Sequence, residues 1–328
     1  MQVSYWTLLK WSCLALCIGS IVAAGMLMWL NDEAIVADSP QAGEEGEKPQ
    51  ANVEKPLIVE RKGERIIWRL QAESAVQEEQ GMHLVDPRLE LFTDQGEAVP
   101  IRGDEAWFEP AARNIRFKSH VQVLYRGWTL KSGELQYDSG RDEVLVPGAF
   151  NLSKPGSSLK GDGMRIDRKS ERVTVERNVE LEDHLYIRSG KDLGESVRIT
   201  SGSMLVDHRK QRAEFARAVH LVRDDFTLDG DRLIVLYRQQ GGGEIEQAEA
   251  YGHVVMRQGE KQGVSESAVY NQERNELLMV GNAEVSDASG SVKGERLIHH
   301  LDTKLTTVEK GASEKRATMF IEEENTKP

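Results

Sequence analysis

Cysteine is almost missing from this sequence. Two occur in 328 residues, Cys13 and Cys17, and both fall inside the first apolar segment. No disulfide framework and no thiolate metal site is therefore open to the rest of the chain. The eight histidines, His83, His120, His184, His208, His220, His253, His299 and His300, are scattered. None has His-Glu-x-x-His spacing, and the neighbours His299 and His300 would face opposite sides of a strand, so no metal centre is expected. A Gly-x-Ser-x-Gly nucleophile elbow is absent. Residues 163–170 approach a phosphate-binding loop, but Arg168 stands where the second glycine must be. Aromatic residues make up 6% of the chain, and a formal net charge of −12 gives no long-range attraction to nucleic acid or an anionic bilayer. These gaps leave little for catalysis to use, and the sequence reads as non-enzymatic and free of cofactors.

One long hydrophobic run is present. Residues 11–30 carry no charge over 20 positions, and at about 1.5 Å per helical residue they match a hydrocarbon core of roughly 30 Å. Lys10 precedes the run, Asp32 and Glu33 follow it, and Trp6, Trp11 and Trp29 sit where interfacial aromatics belong. The spacing predicts a transmembrane anchor with residues 1–10 in the cytoplasm and all that follows outside. A cleaved signal peptide fits less well, because apolar residues continue beyond the weak cleavage candidate at residues 21–25. Residues 31–55 are rich in Glu, Ala, Pro and Gln without apolar period, and read as an acidic flexible linker.

From Leu57-Ile58-Val59-Glu60 onward, apolar and polar residues alternate at period two. That pattern belongs to strands with one face in a core or groove and the other in water. A unit recurs along it, made of a small-residue turn, an alternating strand, a polar turn and further strand. It begins at Gly103-Asp104, Ser132-Gly133, Gly161-Asp162, Ser201-Gly202, Gly230-Asp231, Ser265 and Gly294. The glycines are 30, 28, 41, 28 and 64 residues apart, the last interval holding the Ser265 unit. Such a period means a stacked or elongated array rather than one globular core. The 41-residue interval is the expected boundary between two β-domains, residues 56–183 and 184–328. Repetition of Asp104, Asp162 and Asp231 at one place in successive units argues for turn chemistry over a catalytic carboxylate pair.

Particular stretches carry a family resemblance. The single N-terminal span, the acidic linker, Trp68-Arg69-Leu70-Gln71-Ala72-Glu73-Ser74-Ala75, Asp86-Pro87-Arg88-Leu89-Glu90-Leu91-Phe92 and Leu159-Lys160-Gly161-Asp162-Gly163-Met164 resemble LptC, the membrane-anchored periplasmic family of lipopolysaccharide transport. Ile199-Thr200-Ser201-Gly202-Ser203-Met204-Leu205-Val206-Asp207, Leu228-Asp229-Gly230-Asp231-Arg232-Leu233 and Ala250-Tyr251-Gly252-His253-Val254 resemble LptA, the soluble bridge family, and the related organic-solvent-tolerance domain. LptC-type chains usually stop after one such domain, so this chain looks like a C-type and an A-type domain fused. Phe215-Ala216-Arg217-Ala218-Val219 has alanine where the A-type pattern favours a Gly-Asn turn before valine.

The resemblance implies an all-β chain: two tandem antiparallel β-jellyrolls (β-tacos) after one N-terminal transmembrane helix, each exposing an apolar interior to lipid. Burying one methylene is worth about 0.8 kcal/mol, so leaving an acyl chain of a dozen in water would cost roughly 10 kcal/mol. Candidate groove residues are Phe108, Ile115, Phe117, Val121, Val123, Leu135, Tyr137, Phe150, Leu152, Met164 and Ile166 in the first domain. In the second they are Met204, Val206, Phe215, Val219, Leu221, Leu233, Val235, Val254 and Met256. Each of them would serve equally well as ordinary sandwich core. Open sheet edges would couple the chain to its neighbours. Leu57, Ile58 and Val59 would face the inner-membrane ABC transporter; Ala317, Met319 and Ile321 would face a further bridge subunit or the outer-membrane receiver. The implied role is accepting lipopolysaccharide and passing its lipid A chains toward the outer membrane, from a single-pass inner-membrane anchor with the bulk of the chain in the periplasm. The alternative is a membrane-tethered periplasmic scaffold with a closed β-core and no conduit.

Overall fold

The period-two alternation becomes strand throughout the computed structural model, which describes residues 52–93, 96–184, 196–238, 244–271, 274–309 and 318–321. The expected membrane span lies outside the described residues, as does most of the linker; among the described residues no helix is long and apolar enough to cross a membrane. Contacts group the chain into two units. Among the described residues, the first holds 52–155 together with 160–175, and the second holds 156–159 together with 176 onward.

The first unit draws on β1 (Asn52–Glu54), β2 (Leu57–Lys62), β3 (Arg65–Gln71), β4 (Ser74–Glu78), β5 (Gly81–Val85), β6 (Arg88–Phe92), β7 (Ala98–Arg102), β8 (Glu105–Glu109), β9 (Asn114–Tyr125), β10 (Trp128–Asp138) and β11 (Glu143–Lys154). The division between units then falls inside β12 (Ser157–Asp167) and β13 (Arg172–His184). The second unit continues with β14 (Ser196–Ser201), β15 (Ser203–Asp207), β16 (Arg212–Arg223), β17 (Phe226–Arg238), β18 (Glu244–Gln258), β19 (Lys261–Asn271), β20 (Glu276–Asp287), β21 (Gly290–His300), β22 (Thr306–Val308) and β23 (Thr318–Ile321). β1 lies within the stretch read from sequence as linker.

Every described strand pairing is antiparallel, and the long strands are creased. The short strands β2, β3, β6 and β7 build one half-sheet, which continues into the last residues of β9 through Ile101 opposite Val123. The short strands β1, β4, β5 and β8 build another, which continues into the first residues of β9 through Phe108 opposite Ile115. β9 and β10 therefore belong to both half-sheets, and their register shifts between Ser132 and Glu134. In the second unit the same break recurs between Ala216 and Val219, Asp229 and Arg232, Tyr251 and Val254, Val264 and Ser267, and Val280 and Ala283. A bulge bends a strand and sharpens its twist, and a bulge at one level in successive strands folds a sheet over on itself. The result in each unit is a jellyroll of two facing half-sheets joined along a crease.

This geometry corrects one sequence expectation. Gly133, Gly161, Gly230 and Gly294 do not sit in turns between strands; each lies inside a long strand near the crease. Only Gly103 and Gly202 fall between separate short strands. The 28–30-residue period is thus two creased strands and two tight hairpins. On alternate strands the crease consists of two consecutive residues with left-handed φ: Ser119 (60°) and His120 (49°), Arg217 (70°) and Ala218 (52°), Gly252 (74°) and His253 (48°), Gly281 (83°) and Asn282 (47°). Histidine and asparagine tolerate that region better than most residues. Here their side chains also reach a carboxylate one strand over. His120 Nδ1 donates to Asp104 at 2.6 Å, His253 Nδ1 to Asp231 at 2.8 Å, and Asn282 Nδ2 to Glu266 at 2.7 Å. Asp104 and Asp231 therefore staple the crease rather than close their own turns.

Candidate functional site

The inner faces of the half-sheets carry apolar residues in register from strand to strand. In the first unit one such row runs Ile58, Leu70, Leu89, Ile101, Val123, Leu130 and Leu152 across β2, β3, β6, β7, β9, β10 and β11. The facing half-sheet contributes Met82, Phe108, Ile115, Tyr137 and Val144. In the second unit a row runs Leu181, Ile199, Leu221, Leu228, Met256, Gly263, Val285 and Val292. Facing it is Met204, Phe215, Leu233, Ala250, Ala268, Met279, Leu297 and Val308. With strands about 4.8 Å apart, the row from Ile58 to Leu152 extends over about 29 Å and the row from Leu181 to Val292 over about 34 Å. No charged residue interrupts any of them. Methionine is prominent, and its unbranched thioether adapts to irregular contacts. Gly263 is surrounded by it: a Cβ there would lie 2.8 Å from Met279 Cε and 2.9 Å from Met256 Cγ.

Sixteen of the twenty sequence candidates are buried in these interiors: Phe108, Ile115, Phe117, Val121, Leu135, Tyr137, Phe150, Met164, Met204, Val206, Phe215, Val219, Leu233, Val235, Val254 and Met256. Val123, Leu152, Ile166 and Leu221 are half-buried. Val121 and Phe150 border an open depression of about 830 Å³ over the crease of the first unit, whose polar lining includes His120, Gln122, Lys131 and Asn151. Sequence reading missed Trp68, Leu70, Leu89 and Leu91, and in the second unit Ile199, Leu228, Met279 and Leu297, all buried. The signal was available in their period-two alternation, but attention to units beginning at small-residue turns passed over it.

Polar groups bound the interiors at the strand ends. In the first unit Arg168, 4% exposed, pairs with Asp142 at 2.6 Å and donates to the Tyr137 hydroxyl at 3.1 Å. Burial pushes the Tyr137 hydroxyl pKa up strongly. Across the opening, the Ser139 hydroxyl donates to Glu60 at 3.2 Å. In the second unit, His299 Nε2 meets Gln258 Oε1 at 2.9 Å, and Gln258 Nε2 donates to the Leu301 carbonyl at 3.0 Å. Burial holds His299 and His208 each down to about 4. Among the described residues no cluster of His, Cys, Asp or Glu could hold a metal ion.

Of the expected coupling edges, Leu57 and Val59 are exposed at 59% and 36%, and Ile58 is half-buried. Their strand β2 pairs with β3. Met319 and Ile321 lie on β23, whose pairing with β21 places Met319 opposite Val292. Ala317 is outside the described residues.

Comparison with known proteins gives two family matches. Residues 18–180 match the family described as lipopolysaccharide-assembly, LptC-related. Residues 198–305 match the LptA/(LptD N-terminal domain) LPS transport protein family. None of the curated proteins compared matches the chain. Among solved structures, the chain is similar to LptH of Pseudomonas aeruginosa, described as the LptA-homologous periplasmic component of the lipopolysaccharide transport device. That match has 14% identity and a TM-score of 0.35, and covers 39% of this chain and 95% of LptH.

Proposed function

We propose that this chain, an LptC-related region followed by an LptA/LptD-N-type region and so a periplasmic bridge component of lipopolysaccharide transport, carries lipid along the inner faces of both jellyrolls. The observation that carries this reading is the set of uninterrupted apolar rows running across the strands. Sliding along such a row changes the buried apolar area little from one strand to the next, so an acyl chain meets no large barrier between strands. The sugar end stays at the polar strand ends and in water.

In this reading residues 11–30 anchor the chain in the inner membrane, residues 31–55 give it reach, and residues 56–183 and 184–328 form the two bridge modules. The exposed β2 edge takes lipopolysaccharide from the ABC transporter complex by strand pairing, and the β23 end hands it toward a further bridge subunit or the outer-membrane receiver. Energy comes from the partner ATPase, so the chain acts by binding rather than catalysis. A second reading, the tethered scaffold, draws support from the full burial of sixteen candidate residues, which is how a filled, closed core looks. Photocrosslinking separates the two. A photoreactive residue is placed at Phe117 or Phe215 in cells making lipopolysaccharide. ATP-dependent lipopolysaccharide adducts at both positions are the expected result. Adducts at neither, with a control crosslink to a protein partner intact, would leave the scaffold.

A further inference from the structure

Among the buried polar atoms of the first unit that have no partner in the protein are two indole nitrogens. Trp68 and Trp128 are 2% and 3% exposed, and neither indole Nε1 has a hydrogen-bond partner. Buried tryptophans usually find one. The two residues lie in one cross-strand row. Trp68 is opposite Leu91, and Leu91 is opposite Val99. Tyr125 is opposite Trp128. β7 and β9 pair at Ile101 and Val123, two residues in from Val99 and Tyr125, which joins the two sets. Trp68 also meets Phe108 of the facing half-sheet edge-on, with ring centroids 5.6 Å apart, so its indole lies between the half-sheets.

This row is where the apolar interior gives way to charge. The Tyr125 hydroxyl donates to Glu97 at 3.2 Å, and Arg126 pairs with the same carboxylate at 2.9 Å. The Lys154 ammonium stands 4.7 Å from the Trp128 ring centroid. In the second unit the row at this level runs Arg223, Phe226, Gln258 and Lys261, and its buried Gln258 is fully engaged by Asp225, Leu301 and His299. At that level of the second unit the buried polar side chain is paired, whereas the two indoles of the first unit are not.

Resting on the reading of the interior as a lipid track, we propose that Trp68 and Trp128 donate hydrogen bonds to the hydroxyl, ester or amide oxygens at the head end of a bound acyl lipid. A bare hydrocarbon offers no acceptor. A charged group would lose its hydration to two neutral donors, a poor exchange. A neutral oxygen on an otherwise apolar chain satisfies the indoles without that cost. The two tryptophans would then register the lipid along its length, head at the charged rim and tails along the rows.

The test uses the full chain, labelled with 15N-tryptophan and held in amphipol, with purified lipid A or tetradecane as probe. Lipid A is expected to move two indole N–H proton resonances downfield, the two that vanish in Trp68→Phe and Trp128→Phe. Tetradecane should fill the interior without that shift. Trp68→Phe keeps the aromatic volume and is expected to weaken lipid A binding about fivefold while leaving tetradecane binding unchanged. Equal indole shifts with both probes, or none with lipid A while the Met256 and Met279 methyl signals respond, would overturn the hydrogen-bonding role and leave the conduit standing. If lipid A moves neither indoles nor methionine methyls, the conduit reading fails and this inference with it.

Discussion

Filling Gly263 should stop lipid passage without unfolding the protein. Gly263 occupies the middle of the second unit's apolar row, opposite Met256 on one side and Val285 on the other. Its φ is not in the left-handed region, so a side chain meets no backbone strain there. The atoms a Cβ would strike, Met279 Cε and Met256 Cγ, belong to flexible side chains that can give way. Gly263→Ala is therefore expected to change stability by less than about 1 kcal/mol. Gly263→Leu pushes three further carbons into space the methionines fill. Overpacking of that size costs about 1–3 kcal/mol, within a typical domain stability of about 5–15 kcal/mol. The variant should fold, melt several degrees lower, and present a plug midway along the row. In cells carrying a photoreactive residue at Phe215 on β16 or Leu297 on β21, adducts with lipopolysaccharide should persist at Phe215 and be lost at Leu297. Undiminished adducts at Leu297 in a folded Gly263→Leu protein would refute passage along this row.

Three further outcomes test other parts of the reasoning. Ala218 holds a left-handed φ of 52°, so Ala218→Gly should raise the melting point by relieving roughly 1 kcal/mol of strain; a lower melting point would mean that the alanine methyl is a packing contact. Asp142→Asn should destabilise the first unit by about 3 kcal/mol, because it leaves Arg168 buried without its counter-charge, and denaturant unfolding reads that directly. His208 and His299 titrate near 4 in the folded chain against 6.5 in the unfolded one. The unfolded chain then binds more protons between those values, so their stabilising contribution is full above 6.5 and is lost as pH falls toward 4. Thermal melts at about pH 5 should lie below those at about pH 7.5, and His299→Gln should shrink the difference.

Much of the fold was legible because a period of two is a direct consequence of strand geometry. The alternation around Phe117, Leu135, Phe215 and Leu233 assigned each to an inner face, and all four are buried. The crease was not legible. Gly133, Gly161 and Gly230 read as turns because small residues mark turns and bulges alike, and a local pattern cannot say whether the chain reverses or only bends. The signature is visible afterwards in Ser119-His120-Val121, Gly252-His253-Val254 and Gly281-Asn282-Ala283, pairs of left-handed residues followed by an inward apolar one. Arg217-Ala218 lacks that chemistry and compensates through contacts. Arg217 donates to Ser203 Oγ at 3.2 Å and to the Gly202 carbonyl at 2.9 Å, and a Cβ on Gly202 would come within 2.7 Å of the Arg217 Cβ.

The sequence by itself determined the strands, their inward faces, the repeat and the family resemblance. The strands and their inward faces depend on neighbours within a dozen residues, where side-chain alternation and turn chemistry act, and the repeat and the resemblance are legible because those local patterns recur in order along the chain. Only the tertiary structure decided which strands belong to two half-sheets at once, and which carboxylates staple the crease. It also decided that Trp68, Leu91, Val99, Tyr125 and Trp128 form one row. Those facts depend on register between strands far apart in the chain. Register is set by the summed fit of whole inner faces and by the bulges, which no single segment encodes.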